Sequence, residues 1–156
     1  MEQHQIKQAL LHVSEIELRY TSKVKPSERP LVQSSEDAYQ VFLAIWEEGK
    51  LELAEQFKVI FLNRANHVLC VYHLSSGGIT GTVADPRLIY TAALKVNCCS
   101  LIVAHNHPSG NLKPSRADEE LTQKIKGAGA LLDIKMLDHL VIGPYGYYSF
   151  ADEGLL

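Results

Sequence analysis

Two histidines and one aspartate in the segment HNHPSGNLKPSRAD have the types and spacing of a metal site. His105 and His107 are separated by one residue, so on an extended chain their side chains point to the same side. Asp118 follows in the first turn of a helix predicted to begin at about Ser115. Two imidazole nitrogens and one carboxylate suit Zn²⁺ and leave a fourth position for water, as in catalytic zinc sites. The pattern predicts one zinc ion per chain, bound by His105, His107 and Asp118.

Each part of this pattern also has a purely structural interpretation. A lone His-x-His pair is more often part of a loop or a core than of a metal site. Ser115 and Asp118 have the spacing of a capping box, which would explain both residues without a metal. The two interpretations are compatible, because a cap fixes where the helix begins and therefore where Asp118 points. The complete spacing favours the metal site.

The elements expected around these residues alternate between strands and helices. The apolar run SLIVA predicts a buried strand that leads directly into His105. FKVIFLN and HVLCVYHL predict a hairpin that turns at Arg64-Ala65-Asn66. Three helices are predicted. The first begins after Ser34 or Ser35 and ends at Gly49, the second begins at Asp85-Pro86, and the third runs from about 115 to 127. This order predicts an α/β fold with a mixed, mainly antiparallel sheet flanked by helices.

The two ends of the chain carry weaker signals. A short helix over 3–12, a strand in SEIELRY and an extended connector in SKVKPSERPLVQSS are predicted first. Three short strands are predicted at the other end, near 132–137, 139–142 and 145–150. We expect residues 1–30 to form an N-terminal extension of one domain that spans 31–156.

The composition is that of an ordinary globular domain. Of 156 residues, 46% are hydrophobic and 21% are charged, and no apolar run approaches the roughly 20 residues that cross a bilayer. The first residues lack the pattern of a signal peptide, so we expect a cytoplasmic protein without a membrane partner. Cys70, Cys98 and Cys99 lack metal-site spacing and are expected to be buried, reduced thiols.

The net charge of −3 does not support binding to nucleic acid through phosphates, because such proteins usually carry a basic surplus. A short stretch holds four cations, which we interpret as a solvated face: Arg19, Lys23, Lys25 and Arg29. Nucleic acid therefore stays a possible but unsupported partner.

The motif resembles the signature of the JAMM metalloproteases, also called MPN or JAB domains. The resemblance is greatest to the bacterial RadC-like group, whose HNHPSG, PS-x-AD and LDH motifs match residues 105–110, 114–118 and 137–139. It extends from about Val13 to the terminal FADEGLL. The resemblance implies the cytidine-deaminase-like MPN/JAMM fold and a zinc-dependent peptidase or isopeptidase acting on a peptide or protein.

Two further roles are implied by this resemblance alone. Glu55, just before the strand that begins at Phe57, matches the family's general base, which moves a proton from the attacking water to the leaving amine. Ser115 matches the donor of a hydrogen bond to the oxyanion. Spacing does not distinguish Glu55 from three neighbouring glutamates: Glu47, Glu48 and Glu52.

The sequence departs from the family pattern at several points. Asn106 stands where ubiquitin-cleaving members usually have Ser or Thr, and we expect it to face away from the metal. Insertions that hold ubiquitin in those members have no counterpart here. Many longer RadC relatives begin with a helix-hairpin-helix domain that this sequence lacks, so a role in DNA repair gains little support. His139 is interpreted as structural, with orientation of a metal ligand as the alternative.

Two functions of different classes remain open at this point. The leading hypothesis is zinc-dependent hydrolysis of a peptide or isopeptide bond. The alternative is a DNA-repair or mobile-element accessory protein that binds DNA or a protein partner and keeps zinc in a structural role. The presence of all five motif residues favours the enzyme; the substrate and the oligomeric state are not predicted.

Overall fold

The computed structural model describes residues 19–77 and 84–156, and these form a five-stranded sheet with helices on both faces. The strands are β1 (Gln56–Leu62), β2 (Val68–Ser76), β3 (Ser100–Asn106), β4 (Lys135–Gly143) and β5 (Gly146–Ser149). Their order in the sheet is β2-β1-β3-β4-β5. Only the β3–β4 pairing is parallel among these strands, so the predicted mixed, mainly antiparallel α/β fold is confirmed.

Three α-helices of the described residues pack on this sheet in two layers. They are α1 (Ser35–Ile45), α2 (Pro86–Lys95) and α3 (Arg116–Leu131). Helix α1 contributes Phe42 to a core on one face, together with Ile60 of β1. Helices α2 and α3 contribute Ile89 and Ile125 to a second core on the other face, around Phe61. Both faces of the sheet are therefore buried, which is why the central strands are apolar on both sides.

The predicted helix starts and the hairpin are confirmed. Ser34 caps α1 with a capping box, and Asp85 caps α2 immediately before Pro86. The hairpin of β1 and β2 turns over residues 63–67, where Asn66 has a φ of 60°. Asparagine tolerates this left-handed conformation better than most residues, which suits it to the turn.

Strand β3 is the central strand of the sheet, and it ends with the first two residues of the motif. All seven of its residues are buried, and its last two are His105 and Asn106. Because successive side chains alternate between faces, His105 shares the face of Val103, toward α2 and α3. Asn106 shares the face of Ala104, toward α1. The side chains of these two neighbouring residues therefore lie on opposite faces of the sheet.

Two of the predicted helix ends are wrong. Helix α1 ends at Ile45, four residues before Gly49, because Trp46 adopts an extended conformation and buried Lys58 donates a hydrogen bond to the Ile45 carbonyl. Helix α3 continues past the predicted end at 127 to Leu131. It passes through Gly129, where a Cβ would clash with the Ile134 carbonyl and the Tyr90 hydroxyl, so this glycine permits close packing.

The C-terminal strands also differ from the prediction. The segments 132–137 and 139–142 are not two strands, because residues 135–143 form the single strand β4. A turn with Asp133 at a φ of 55° precedes it. Buried Asp138 accepts hydrogen bonds from the backbone N–H groups of His139 and Ala151 and from the Ser149 hydroxyl, so this polar residue is satisfied within the strand.

Several predictions lie partly or wholly outside the described residues. The helix over 3–12, most of the strand in SEIELRY and more than half of the extension over 1–30 belong to this group. Within the described ranges, no helix is long and apolar enough to cross a membrane. The three cysteines are free thiols, but only Cys98 is buried, whereas Cys70 is half-buried and Cys99 is exposed.

Candidate metal centre

His105, His107 and Asp118 converge on one point where a metal ion can be held. One ligand atom from each of the three side chains lies within 4.8 Å of the other two. His105 Nε2 lies 3.0 Å from His107 Nε2 and 3.2 Å from Asp118 Oδ1. The end of β3 supplies the first histidine, the loop after it the second, and the first turn of α3 the aspartate.

The loop after β3 fixes the orientation of His107. Its Nδ1 lies 2.6 Å from the Asn111 carbonyl oxygen, which can only accept a hydrogen bond. Nδ1 therefore carries the proton in the neutral ring, and Nε2 presents its lone pair to the cluster. Gly110, with a φ of 77°, donates its N–H to the His107 carbonyl and closes the turn. A glycine suits this left-handed position because it has no Cβ.

Asp118 divides its two oxygens between the helix cap and the cluster. Oδ2 accepts hydrogen bonds from the Ser115 N–H at 2.6 Å and from the Ser115 hydroxyl at 2.7 Å. Oδ1 faces His105. Burial alone would raise the pKa of Asp118, but hydrogen bonds with His105 and His107 lower it well below its usual range. The Asp118 side chain therefore takes part in both the capping box and the cluster, and it stays ionised.

Glu55 lies at the head of β1, next to this cluster. Its carbonyl accepts a hydrogen bond from the Gly77 N–H at 2.8 Å, which extends the β1–β2 pairing by one residue. Alternation along that extended chain puts Glu55 on the face of Phe57, whose ring stacks on the His105 ring. The hydrogen bond with Asp118 raises the pKa of His107, and the negative charge of Glu55 acts in the same direction.

The other nearby glutamates are placed differently. Glu47 pairs with Lys50 and accepts a hydrogen bond from the Gln56 side chain at 3.3 Å. Glu48 and Glu52 are exposed, whereas Glu55 is half-buried. The location of Glu55 in the structure therefore distinguishes it from the three other glutamates, whereas their spacing in the sequence did not.

Asn106 holds the segment that carries Glu55. Its fully buried side chain accepts a hydrogen bond from the Gln56 N–H at 2.7 Å. It also donates to the carbonyls of Leu51 at 2.7 Å and Ala54 at 2.9 Å. Asn106 faces away from the cluster, as expected, and three of its hydrogen-bonding positions bind the backbone on either side of Glu55.

His139 and Thr122 lie behind the cluster and are both fully buried. His139 Nε2 lies 2.8 Å from His105 Nδ1, and His139 Nδ1 lies 2.7 Å from Thr122 Oγ1. Burial lowers the pKa of His139 well below its usual range. This contact favours the alternative interpretation of His139, orientation of a metal ligand, over the structural one, and it depends on the parallel register of β3 and β4. Thr122 was missed, although it lies one helical turn after Asp118.

Comparison with known proteins places this cluster in a family. The model of the RadC-like JAB domain matches residues 32–155. The chain belongs to the RadC-like JAB domain family. JAB domains as a wider family are of a metallohydrolase-like kind, and the matched span includes His105, His107, Asp118, Glu55 and Ser115.

Relatives of this RadC-like domain occur in several bacteria. A UPF0758 protein of Flavobacterium johnsoniae is 48% identical over 124 residues, which cover 80% of this chain and 53% of that protein. A UPF0758 protein of Acidovorax sp. is 39% identical over 125 residues, covering 80% and 52%. UPF0758 protein YfjY of Escherichia coli is 41% identical over 111 residues, covering 69% of each. The chain thus spans about half the length of the first two.

Proposed function

We propose that this RadC-like domain is a zinc-dependent metallohydrolase that cleaves a peptide or isopeptide bond. The observation that carries the proposal is the convergence of His105 Nε2, His107 Nε2 and Asp118 Oδ1 at the end of β3. His105 is buried and the other two side chains are largely so, with exposures of 18% and 14%. Enough surface remains for a substrate to reach the cluster.

The donor set fits zinc. Two nitrogens and one carboxylate oxygen are ligands that Zn²⁺ prefers, and three protein ligands leave one position open for catalysis. Two ligand atoms of one tetrahedral zinc, with bonds of about 2.0–2.1 Å, lie about 3.3 Å apart. The separations of 3.0 Å and 3.2 Å from His105 Nε2 are close to this value. The third pair, His107 Nε2 and Asp118 Oδ2, is 3.6 Å apart, so a modest adjustment of the side chains would place all three ligands around the ion.

The residues around the cluster would perform the proton transfers. When bound, a zinc ion would supply a Lewis acid that lowers the pKa of a nearby water toward about 7. The Glu55 carboxylate accepts the proton of the attacking water and passes it to the leaving nitrogen. His105, His107 and Asp118 are not available for this step, because their ligand atoms are committed to the ion.

Ser115 would stabilise the charge that develops on the carbonyl oxygen of the substrate. Its hydroxyl donates to Asp118 Oδ2 in this structure and is exposed to solvent. A rotation about the Cβ–Oγ bond redirects the proton to a substrate oxygen. The backbone N–H of Ser115 keeps the cap on Asp118 while the hydroxyl is used elsewhere.

Metal content is the first test of the proposal. Protein purified without chelators should carry close to one zinc per chain by elemental analysis. His107→Ala should abolish this zinc and keep the fold, because the core strands do not depend on the ion. His73→Ala is the matched control, since His73 is an exposed histidine of β2, and it should retain the metal. Wild-type protein that is metal-free would contradict the proposal.

Glu55→Gln is the second test, measured by hydrolysis of a peptide library. This variant keeps size and hydrogen bonding but removes the basic carboxylate, so it should bind zinc, melt near wild type and lose nearly all hydrolysis. Glu52→Gln, an exposed control in the same segment, should be close to neutral. Equal activity of the two variants would refute the role of Glu55. Zinc-loaded wild type that cleaves nothing would favour the accessory-protein alternative.

A further inference from the structure

A chain of three hydrogen bonds links the proposed ligand His105 to the helix that carries Asp118. It runs from His105 Nδ1 to His139 Nε2 at 2.8 Å, and from His139 Nδ1 to Thr122 Oγ1 at 2.7 Å. It ends at the backbone carbonyl of Asp118, 2.6 Å from Thr122 Oγ1. Asp118 therefore takes part twice, once through its carboxylate at the cluster and once through its carbonyl at the end of the chain.

The last acceptor sets the direction of every bond in the chain. A carbonyl oxygen only accepts, so the single hydroxyl proton of Thr122 points to Asp118. Thr122 Oγ1 then accepts from His139, whose Nδ1 must carry the proton. The neutral His139 ring has a lone pair on Nε2, which accepts from His105 Nδ1. His105 Nε2 is left with its lone pair facing His107 and Asp118.

Hydrogen bonds donated in the opposite direction along this chain would block metal binding at His105. If Thr122 donated to His139 Nδ1, then His139 Nε2 would carry a proton and donate it to His105 Nδ1. His105 would then hold its own proton on Nε2, directed at the point where the metal binds. The two arrangements differ only in proton positions, and the short contact with the Asp118 carbonyl selects the one that can bind a metal.

Packing holds the His139 ring so that this selection is maintained. The ring stacks on Phe150, with centroids 4.7 Å apart and an interplanar angle of 11°. Phe57 packs against it from another side at 5.7 Å and also stacks on His105. His139 is fully buried, so no water reaches its nitrogens to replace either partner.

We propose that His139 and Thr122 are positioning residues that fix the tautomer of His105, so that its Nε2 lone pair is preformed for the metal. This inference rests on the proposed metal site but not on any hydrolytic activity. Histidine ligands commonly donate their second ring nitrogen to a carboxylate, a carbonyl or water. Here the acceptor is a second histidine, and its own direction is set by Thr122.

The test removes the hydroxyl of Thr122 and measures zinc affinity and the His105 tautomer. Thr122→Val keeps the shape but removes the acceptor of His139 Nδ1, which frees the chain to reverse. Zinc affinity, measured by competition with a chromophoric chelator, should fall about 10–100-fold, the typical effect of losing a partner of a ligand. Thr122→Ser restores a hydroxyl and should bind zinc nearly as the wild type does.

The tautomer is read directly from the ring nitrogens of metal-free protein by ¹H–¹⁵N NMR. Wild type and Thr122→Ser should carry the His105 proton on Nδ1, whereas Thr122→Val should show a substantial population with the proton on Nε2. A wild-type His105 protonated on Nε2 would overturn the inference, as would unchanged zinc affinity in folded Thr122→Val. Neither readout uses a substrate, so a failure to find hydrolysis would count against the proposed function alone.

Discussion

Within the residues that the structure describes, the same helix cap occurs twice, and only one copy lies at the candidate metal site. Ser34 and Asp37 form a capping box at the start of α1, as Ser115 and Asp118 do at the start of α3. The carboxylate of Asp37 accepts from the N–H groups of Gln33 and Ser34, and it pairs with no histidine in the described ranges 19–77 and 84–156. Asp118 makes the equivalent cap with one oxygen and faces His105 with the other.

The comparison shows that the Ser-x-x-Asp pattern by itself identifies a helix start and nothing more. The pKa of Asp37 is lowered mainly by the hydrogen bond from the Gln33 backbone, which is ordinary cap chemistry. What distinguishes Asp118 is the neighbouring end of β3, which places two imidazoles against it. Since the cap fixes the position of the carboxylate in both helices, α1 offers a matched control for each test of α3.

Replacing the two aspartates should give the largest difference. Asp118→Asn keeps an oxygen that can accept the cap hydrogen bond but loses the negative charge. We expect zinc affinity to fall by more than the roughly 10–100-fold that follows loss of a partner of a ligand, since Asp118 is itself a proposed ligand. Asp37→Asn should leave zinc affinity unchanged. Chelator competition measures both, and equal affinities would remove Asp118 from the site.

Replacing the two cap serines should separate capping from catalysis. Ser34→Ala and Ser115→Ala should each lower the free energy of unfolding by about 1 kcal/mol. Ser115→Ala should in addition lower turnover by about 10²–10³-fold, because it also removes the proposed oxyanion donor. Zinc content should hardly change. If turnover falls only with the folded fraction in both variants, the serine of α3 acts as a cap alone.

Removing the Asn106 side chain should affect the other face of β3. Asn106→Ala leaves the Gln56 N–H and the carbonyls of Leu51 and Ala54 without their buried partner, so we expect a loss of about 2–4 kcal/mol in denaturant unfolding. Turnover of the remaining folded protein should fall more than zinc affinity, because Glu55 is displaced and the ligands are not. Asn63→Ala, a turn residue in the hairpin loop, is the control. Unchanged turnover would show that Asn106 does not position Glu55.

Local signals account for what could be predicted from the sequence. Helix starts at Ser34, Asp85 and Ser115 depend on residues within one turn, and the alternation of faces at His105 depends on strand geometry alone. The same local rules failed at helix ends. The end of α1 depends on Lys58, which comes from a different element, and the close packing of α3 at Gly129 depends on Tyr90.

Long-range register accounts for what could not be predicted. Glu55 is separated from other glutamates by its pairing with Gly77 and by the hydrogen bonds of Asn106, and neither is visible in the local sequence. His139 reaches His105 only because β4 runs parallel to β3 with His139 opposite Val103. These contacts join residues far apart in the chain, so a sequence taken alone does not report them.

A crystal structure of the zinc-loaded protein, with anomalous scattering recorded at the zinc edge, tests the central claim most directly. We predict one zinc peak about 2.0–2.2 Å from His105 Nε2, His107 Nε2 and Asp118 Oδ1. The Glu55 carboxylate should lie within about 2.6–3.2 Å of the water beside the ion, or reach it through one further water. A zinc peak elsewhere would contradict the metal site, and Glu55 directed into solvent on the far side of the sheet would contradict its role as the base.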